Sequence, residues 1–189
     1  ERHHLPESHG TPGSRRIEER LPLSYACGMT TTGEPAAPKD NLQDLNTVAP
    51  AFVEMAHRIV WCVAGTTNPS GNPTTRVLHP VWEWDGEKLT GWIATSPQSP
   101  KATHLSRTPS LSLTYWSPEQ DTCTADCATT WDDTKELRHR GWRRFVEAPE
   151  PVGYTPSIIP EWTDPDAPAF GILRLEPHRL RVMPGSVLM

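Results

Sequence analysis

Two cations and two hydroxyls set the first question. Arg76 lies near the start of "TTRVLHPVWEW", Thr95 ends "EKLTGWIATS", and Ser99 and Lys101 stand in the following "SPQSPKATHLSRTP". Both apolar runs read as strands by their β-branched and aromatic content, and Asp85-Gly86 between them is a hairpin signal. With a two-residue loop, Trp84 faces Glu87, and Arg76 falls opposite Thr95, Leu78 opposite Ile93 and Trp82 opposite Leu89. Arg76 and Thr95 then continue an apolar face formed by Leu78, Pro80, Trp82, Trp84, Leu89 and Ile93. Residues 99–107 read as a short helix, with Ser99 as N-cap and Pro100 at the first helical position. Its first turn offers free N–H groups and a partial positive charge, where the Lys101 cation is unfavourable unless an anion compensates it. Arg76, Thr95, Ser99, Lys101 and the helix N-terminus together suit one phosphate group. The other reading is that Arg76 and Lys101 are separate surface charges.

The elements that must position these residues follow from the hydrophobic pattern. Residues 41–58 carry a short helix signal that restarts at Pro50, with Phe52, Val53 and Ala56 at helical spacing. "IVWCVAGTT" reads as a strand, and "NPSGNP" as a turn suited to Gly and Asn. "SLSLTYW" alternates as a strand and "DTCTADCATTW" reads as the next. Residues 132–148 read as a helix with Leu137, Trp142, Phe145 and Val146 on one face and basic residues opposite. A crossing segment with six prolines, "APEPVGYTPSIIPEWTDPDAPAF", follows. "FGILRLEPHRLRVMPG" reads as two strands broken at Glu176-Pro177. Hairpin-linked strands with inserted helices predict a mainly β (α+β) fold: a β-barrel of six to seven mostly antiparallel strands with peripheral helices.

Composition narrows the class. The chain has 189 residues, which suits one domain with a tail: residues 1–40, rich in Pro, Gly, Ser, Thr and charge, read as a disordered or extended tail, and residues 41–189 as the barrel. "MTTTGEPAAPKDN" from Met29 reads as an ordinary soluble N-terminus, and residues 1–28 are given no function. The net charge of −5 and the lack of a basic stripe argue against a nucleic-acid partner. No apolar run is long enough for a membrane helix and no signal peptide is visible, so the cytoplasm is expected. The four cysteines, Cys27, Cys62, Cys123 and Cys127, make no disulfide framework. Cys123 and Cys127 lack a second ligand pair for zinc and read as two reduced thiols on one strand face, so no metal is expected. His57, His104, His139 and His178 lack ligand spacing and read as surface or capping residues.

The stretch "GNPTTRVLHPVWEWDGEKLTGWIATSPQSPKATHLSRTPSLSLTYW" resembles the pyridoxamine 5′-phosphate oxidase-related split β-barrel flavoproteins. "YWSPEQDTCTADCATTWDD" with the Trp-containing helix after it is similar to their general-stress-protein-like branch. The resemblance implies a split barrel and a flavin phosphate held by Arg76, Thr95 and Lys101, with Ser96 and Ser99 beside them. It implies backbone contacts from Val77, Leu78 and His79 to the flavin ring, and a homodimer with each cofactor in a cleft between subunits. The flavin-contacting Gln of the oxidases aligns near Thr122, and Trp116 and Trp131 flank that strand as candidates for cofactor contact. Many relatives have Ser-Arg-Lys where this chain has Ser99-Pro100-Lys101, and the pyridoxal-phosphate-binding residues have no clear counterparts. The expected activity is hydride transfer to or from a small organic substrate with FMN; a deazaflavin coenzyme, or a non-catalytic storage or sensing module, are the alternatives. No side chain stands out as acid, base or nucleophile, which suits a cofactor that carries the chemistry. His79 is read either as a flavin hydrogen-bond partner or as part of the barrel wall. Tyr154 and Trp162 are read either as caps on a substrate cleft or as anchors of the proline-rich crossing.

Overall fold

A computed structural model of the chain describes residues 44–187. The tail expected over residues 1–40, with Cys27, lies outside the described residues. The elements run α1 (Leu45–Ile59), β1 (Cys62–Thr67), β2 (Pro73–Leu78), β3 (Val81–Trp84), β4 (Leu89–Thr95), α2 (Pro100–Arg107), β5 (Ser110–Trp116), β6 (Thr122–Trp131), α3 (Lys135–Glu147) and β7 (Gly171–Met183). All strand pairs are antiparallel, in one seven-stranded sheet ordered β2-β1-β5-β6-β7-β4-β3. β2 and β3 occupy opposite edges of that sheet, yet only His79 and Pro80 join them. A link this short forces the sheet to curl until its edges approach. The barrel is therefore split between β2 and β3, in agreement with the predicted fold class.

The hairpin register differs from expectation in two ways. "TTRVLHPVWEW" is not one strand: Pro80 has no N–H to give a ladder and its φ is fixed, and the run breaks at His79-Pro80. β2 pairs with β1, setting Arg76 opposite Ala64, whereas β3 pairs with β4. Arg76 and Thr95 are thus not ladder partners. In the β3–β4 hairpin Trp84 faces Leu89 and Trp82 faces Gly91, two positions off the expected pairing. The loop is longer because the Asp85 carboxylate accepts from the backbone N–H groups of Glu87 (2.9 Å) and Lys88 (2.7 Å). Gly91 permits the shift, since a Cβ there would lie 2.7 Å from the Trp82 ring.

Two packed layers hold the barrel. Inside it, α1 plugs the core with Phe52, whose ring meets Trp82 edge-on at 4.9 Å; Trp82 Nε1 donates to the Tyr115 hydroxyl at 2.9 Å. Leu111, Leu113, Ile93, Leu173 and Leu175 complete this apolar interior. Outside it, α3 lies on β4 and β7 through Phe145, Trp92, Ala94 and Ile172. Val146, expected on the buried face of α3, is 47% exposed, while the Arg144 guanidinium lies 3.8 Å over the Trp92 ring.

Other boundaries moved for local reasons. α1 continues through Pro50, which sits exposed near its start, so the carbonyl it frees meets water. β7 runs unbroken through Glu176-Pro177: Cys127 faces Pro177 and Asp126 faces Arg179, leaving His178 as a bulge residue. A proline is tolerated at such a bulge because no ladder donor is required there. The proline-rich crossing is ordered, with Val152, Trp162, Ala167 and Phe170 buried in the outer cluster.

Candidate functional site

α2 follows the close of β4 after a short loop and packs on β1, beside the edge strand β2 that carries Arg76. Arg76 is half-buried, and its Nη1 donates to the Ala64 carbonyl at 3.1 Å, fixing the guanidinium along β1. Burial holds its pKa below the ordinary arginine value. Lys101, in the first turn of α2, donates from Nζ to Ser99 Oγ at 2.9 Å. Burial, and then the nearby charge of Arg76, push its ammonium down to about 8. Among the described residues neither cation holds a carboxylate, although Lys88 and Lys135 each do. Two half-buried like charges without an anion repel each other and pay for lost hydration, and an anion between them would reverse both effects.

The loop before α2 organises the hydroxyls. Ser99 occupies the N-cap position with extended backbone but makes no side-chain cap. Its Oγ instead donates to the Ser96 carbonyl at 2.7 Å and accepts from Lys101, which corrects the expected capping role. Ser96 Oγ accepts from the Gln98 N–H at 3.2 Å. Thr95, 4% exposed, ends β4 opposite Gly171. Trp131 reaches the same region: a Cβ on Gly171 would lie 3.2 Å from its ring and 3.1 Å from the Thr95 carbonyl.

A contact the sequence did not announce fixes α2 to the barrel. His104 is buried, not at the surface, and its Nδ1 lies 3.0 Å from Thr66 Oγ1 on β1. One turn beyond Lys101 and next to the core residue Leu105, it stands on the face of α2 that meets the barrel. That helical spacing was the available signal. His57 likewise departs from the surface reading, since its Nε2 accepts from the Trp82 backbone N–H at 3.0 Å. His139 and His178 do lie toward solvent, His139 against Asp166 at 2.8 Å.

The remaining candidates fall elsewhere. Val77 alternates to the outer face and is 60% exposed, beside Val63. Leu78 packs against the barrel core. His79 lies between the tilted rings of Trp61 (centroids 5.0 Å) and Tyr154 (4.9 Å), with burial lowering its pKa and Nε2 without a partner among the described residues. Tyr154 and Trp162 thus anchor the crossing segment, Trp162 against Phe170 at 5.6 Å. Trp116 and Thr122 face each other across β5 and β6, at the far end of β5 from α2. Within one chain they stand apart from Arg76 and Lys101. Cys62, Cys123 and Cys127 are buried free thiols, each pushed up to about 12 chiefly by burial. Among the described residues no cluster of His, Cys, Asp or Glu has the makings of a metal site.

The fold defines a class, an antiparallel split β-barrel, here with two half-buried cations that hold no carboxylate among the described residues. Its neighbours among solved structures are pyridoxamine 5′-phosphate oxidase-related proteins. A protein related to general stress protein 26 from Clostridium acetobutylicum superposes with a TM-score of 0.58 at 12% identity, covering 74% of this chain and 89% of that one. A pyridoxamine 5′-phosphate oxidase-related, FMN-binding protein from Nostoc punctiforme does so at 0.54 and 18%, covering 76% and 85%. An F420 reductase matches at 0.51 and 11%, covering 69% and 95%. At these identities the likeness is one of fold. No protein-family model and no curated protein matches the sequence.

Proposed function

We propose that the chain binds FMN by its phosphate at the Arg76–Lys101 pair and serves hydride transfer to or from a small organic molecule. The observation that carries this reading is the pair itself: two half-buried cations, near enough for the charge of Arg76 to act on Lys101, with no carboxylate among the described residues. Arg76 and Lys101 neutralise the phosphate, while Ser96 and Ser99 present hydroxyls beside them. β2 is an edge strand, so alternate backbone groups along Val77, Leu78 and His79 are free of the ladder and available to a planar ring. A bound flavin supplies the hydride chemistry itself; the chain binds, orients and shields it. Trp116 and Thr122 reach a cofactor only if a second copy brings its own outer face against the first, so the reading includes a homodimer.

Removing one charge-assisted contact costs on the order of 1.5–3 kcal/mol. Lys101→Ala is therefore expected to weaken FMN binding by about ten- to a hundred-fold. An unchanged dissociation constant would refute the role of Lys101. The absorbance spectrum of the purified protein is the first measurement, because oxidised FMN and a deazaflavin absorb differently. A deazaflavin is the second reading, favoured by the fold shared with the F420 reductase. A bound flavin that is stable and unresponsive to any reductant substrate would instead indicate storage or sensing.

A further inference from the structure

We propose that Thr66 and His104 are positioning residues of the phosphate site: their contact sets where Lys101 stands relative to Arg76, and with it the preference for a phosphorylated over an unphosphorylated flavin. This rests on the phosphate-binding reading of Arg76 and Lys101 and gives that site a support outside it. α2 has few other means of being held in place. It is eight residues long, which is too short for a helix to be stable by itself, and Ser99 makes no side-chain cap. Of its residues only His104 and Leu105 are buried. Leu105 supplies an apolar contact, which has no direction and leaves the helix free to turn or slide. The contact of His104 Nδ1 with Thr66 Oγ1 at 3.0 Å is directional, and its two side chains are 8% and 5% exposed.

Both cations hang from β1. The Arg76 guanidinium donates to the Ala64 carbonyl at 3.1 Å. Thr66 lies two residues further along the strand, on the same inward face as Ala64. It holds His104, which follows Lys101 by three residues and shares its side of α2, about 4.5 Å along the helix axis. A carbonyl of β1 thus fixes one cation directly, and a hydroxyl of β1 fixes the other through one turn of helix. Without that hydroxyl α2 keeps Leu105 but loses the contact that sets its rotation, and Lys101 loses its fixed place. A phosphate depends on that place, because a charge-assisted hydrogen bond requires its cation at short range. A flavin ring lying along the edge of β2 does not.

The test measures the dissociation constants of FMN and riboflavin on the same preparations by fluorescence titration. The wild type should prefer FMN, and Lys101→Ala should lose most of that preference. Thr66→Val removes the hydroxyl but keeps a β-branched side chain on the strand. It should weaken FMN about three- to tenfold and leave riboflavin within about twofold. Thr66→Ser, which keeps a hydroxyl, should restore the FMN affinity. His104→Phe keeps a ring without its nitrogens; it should repeat the loss, and it carries the test if the valine variant does not fold. In a Lys101→Ala background Thr66→Val should cost FMN nothing further, since it acts through that amine. Equal weakening of FMN and riboflavin, or a full additional loss in the double variant, would make the contact a general support of the fold and overturn the proposal. An FMN preference that depends on Lys101 but not on Thr66 or His104 sinks the positioning role alone. A wild type that binds FMN no better than riboflavin, or a preference indifferent to Lys101→Ala, removes the phosphate reading and the positioning role with it.

Discussion

Lys101 carries its proton at a disadvantage that a bound anion removes. With its ammonium pushed down to about 8, the apo protein holds roughly half a proton there at pH 8. A phosphate monoester is already dianionic at that pH, so it brings no proton of its own into the balance. Binding next to Lys101 restores the ordinary affinity of the amine for its proton, and the complex should take up about half a proton at pH 8. Calorimetric titration of FMN in buffers of different ionisation enthalpy measures this directly. Zero uptake at pH 8 would place the phosphate away from Lys101. The cation in the first turn of a short helix was legible because the helix field makes it unfavourable without a partner. Its neighbour was harder to place. The two-residue loop predicts Arg76 opposite Thr95, whereas the structure pairs β2 with β1 and hangs Arg76 on the Ala64 carbonyl.

At the scale of elements, short backbone devices decide what meets what. The β3–β4 pairing depends on Gly91 leaving room for Trp82, whose ring also contacts Phe52 and whose Nε1 reaches Tyr115. Gly91→Ala should force that ring off its site and cost about 1–3 kcal/mol, seen as a lower urea midpoint. A stability within error of the wild type would mean the Trp82 contact is easily relieved. The sequence shows both strands and the turn but not this register, because the side chain of Asp85 lengthens the loop and nothing local to the strands records it. α1 joins β3 through a second device, the acceptance by His57 Nε2 from the Trp82 N–H. Only the neutral ring can accept, and burial first, then the charge of His79, hold the His57 pKa below 6.5. His79 is also held low by burial. Below pH 6.5 the unfolded chain therefore binds protons that the native state resists, so these groups' stability is fully present above pH 6.5 and falls as the pH drops. The urea midpoint should decline between pH 7 and 5, with a smaller decline in His57→Gln. A decline of the same size in that variant would assign the acid sensitivity to other groups.

For the whole molecule, the decisive feature is a sheet whose two edges are joined by His79 and Pro80 alone. Strand count and antiparallel character were legible from alternation and turns; the split was not, because it depends on which strands pair across long sequence separations. Closure also sorts the two faces of the sheet. Arg76 alternates inward and Val77 outward, where Val77 (60% exposed) pairs with Val63 (50% exposed). Trp61, just before β1, and Trp116, at the end of β5, are 59% and 57% exposed on the same chain. Large apolar side chains gathered on a sheet face that the other described residues leave open suit an association surface. A second copy is the occupant the functional reading requires, since it is the route by which Trp116 and Thr122 come near a cofactor held at Arg76 and Lys101. Val63→Glu tests this at a residue with no part in the clamp or in the flavin-ring contacts. An exposed substitution of this kind usually changes stability by no more than about 0.5 kcal/mol, but a charge placed in a desolvated dimer interface opposes association. Sedimentation should find the wild-type chain dimeric and the Val63→Glu chain monomeric, with FMN affinity falling in step with the loss of the dimer. Full FMN affinity in a monomeric Val63→Glu chain would confine the cofactor site to one subunit and leave Trp116 and Thr122 without a part in it.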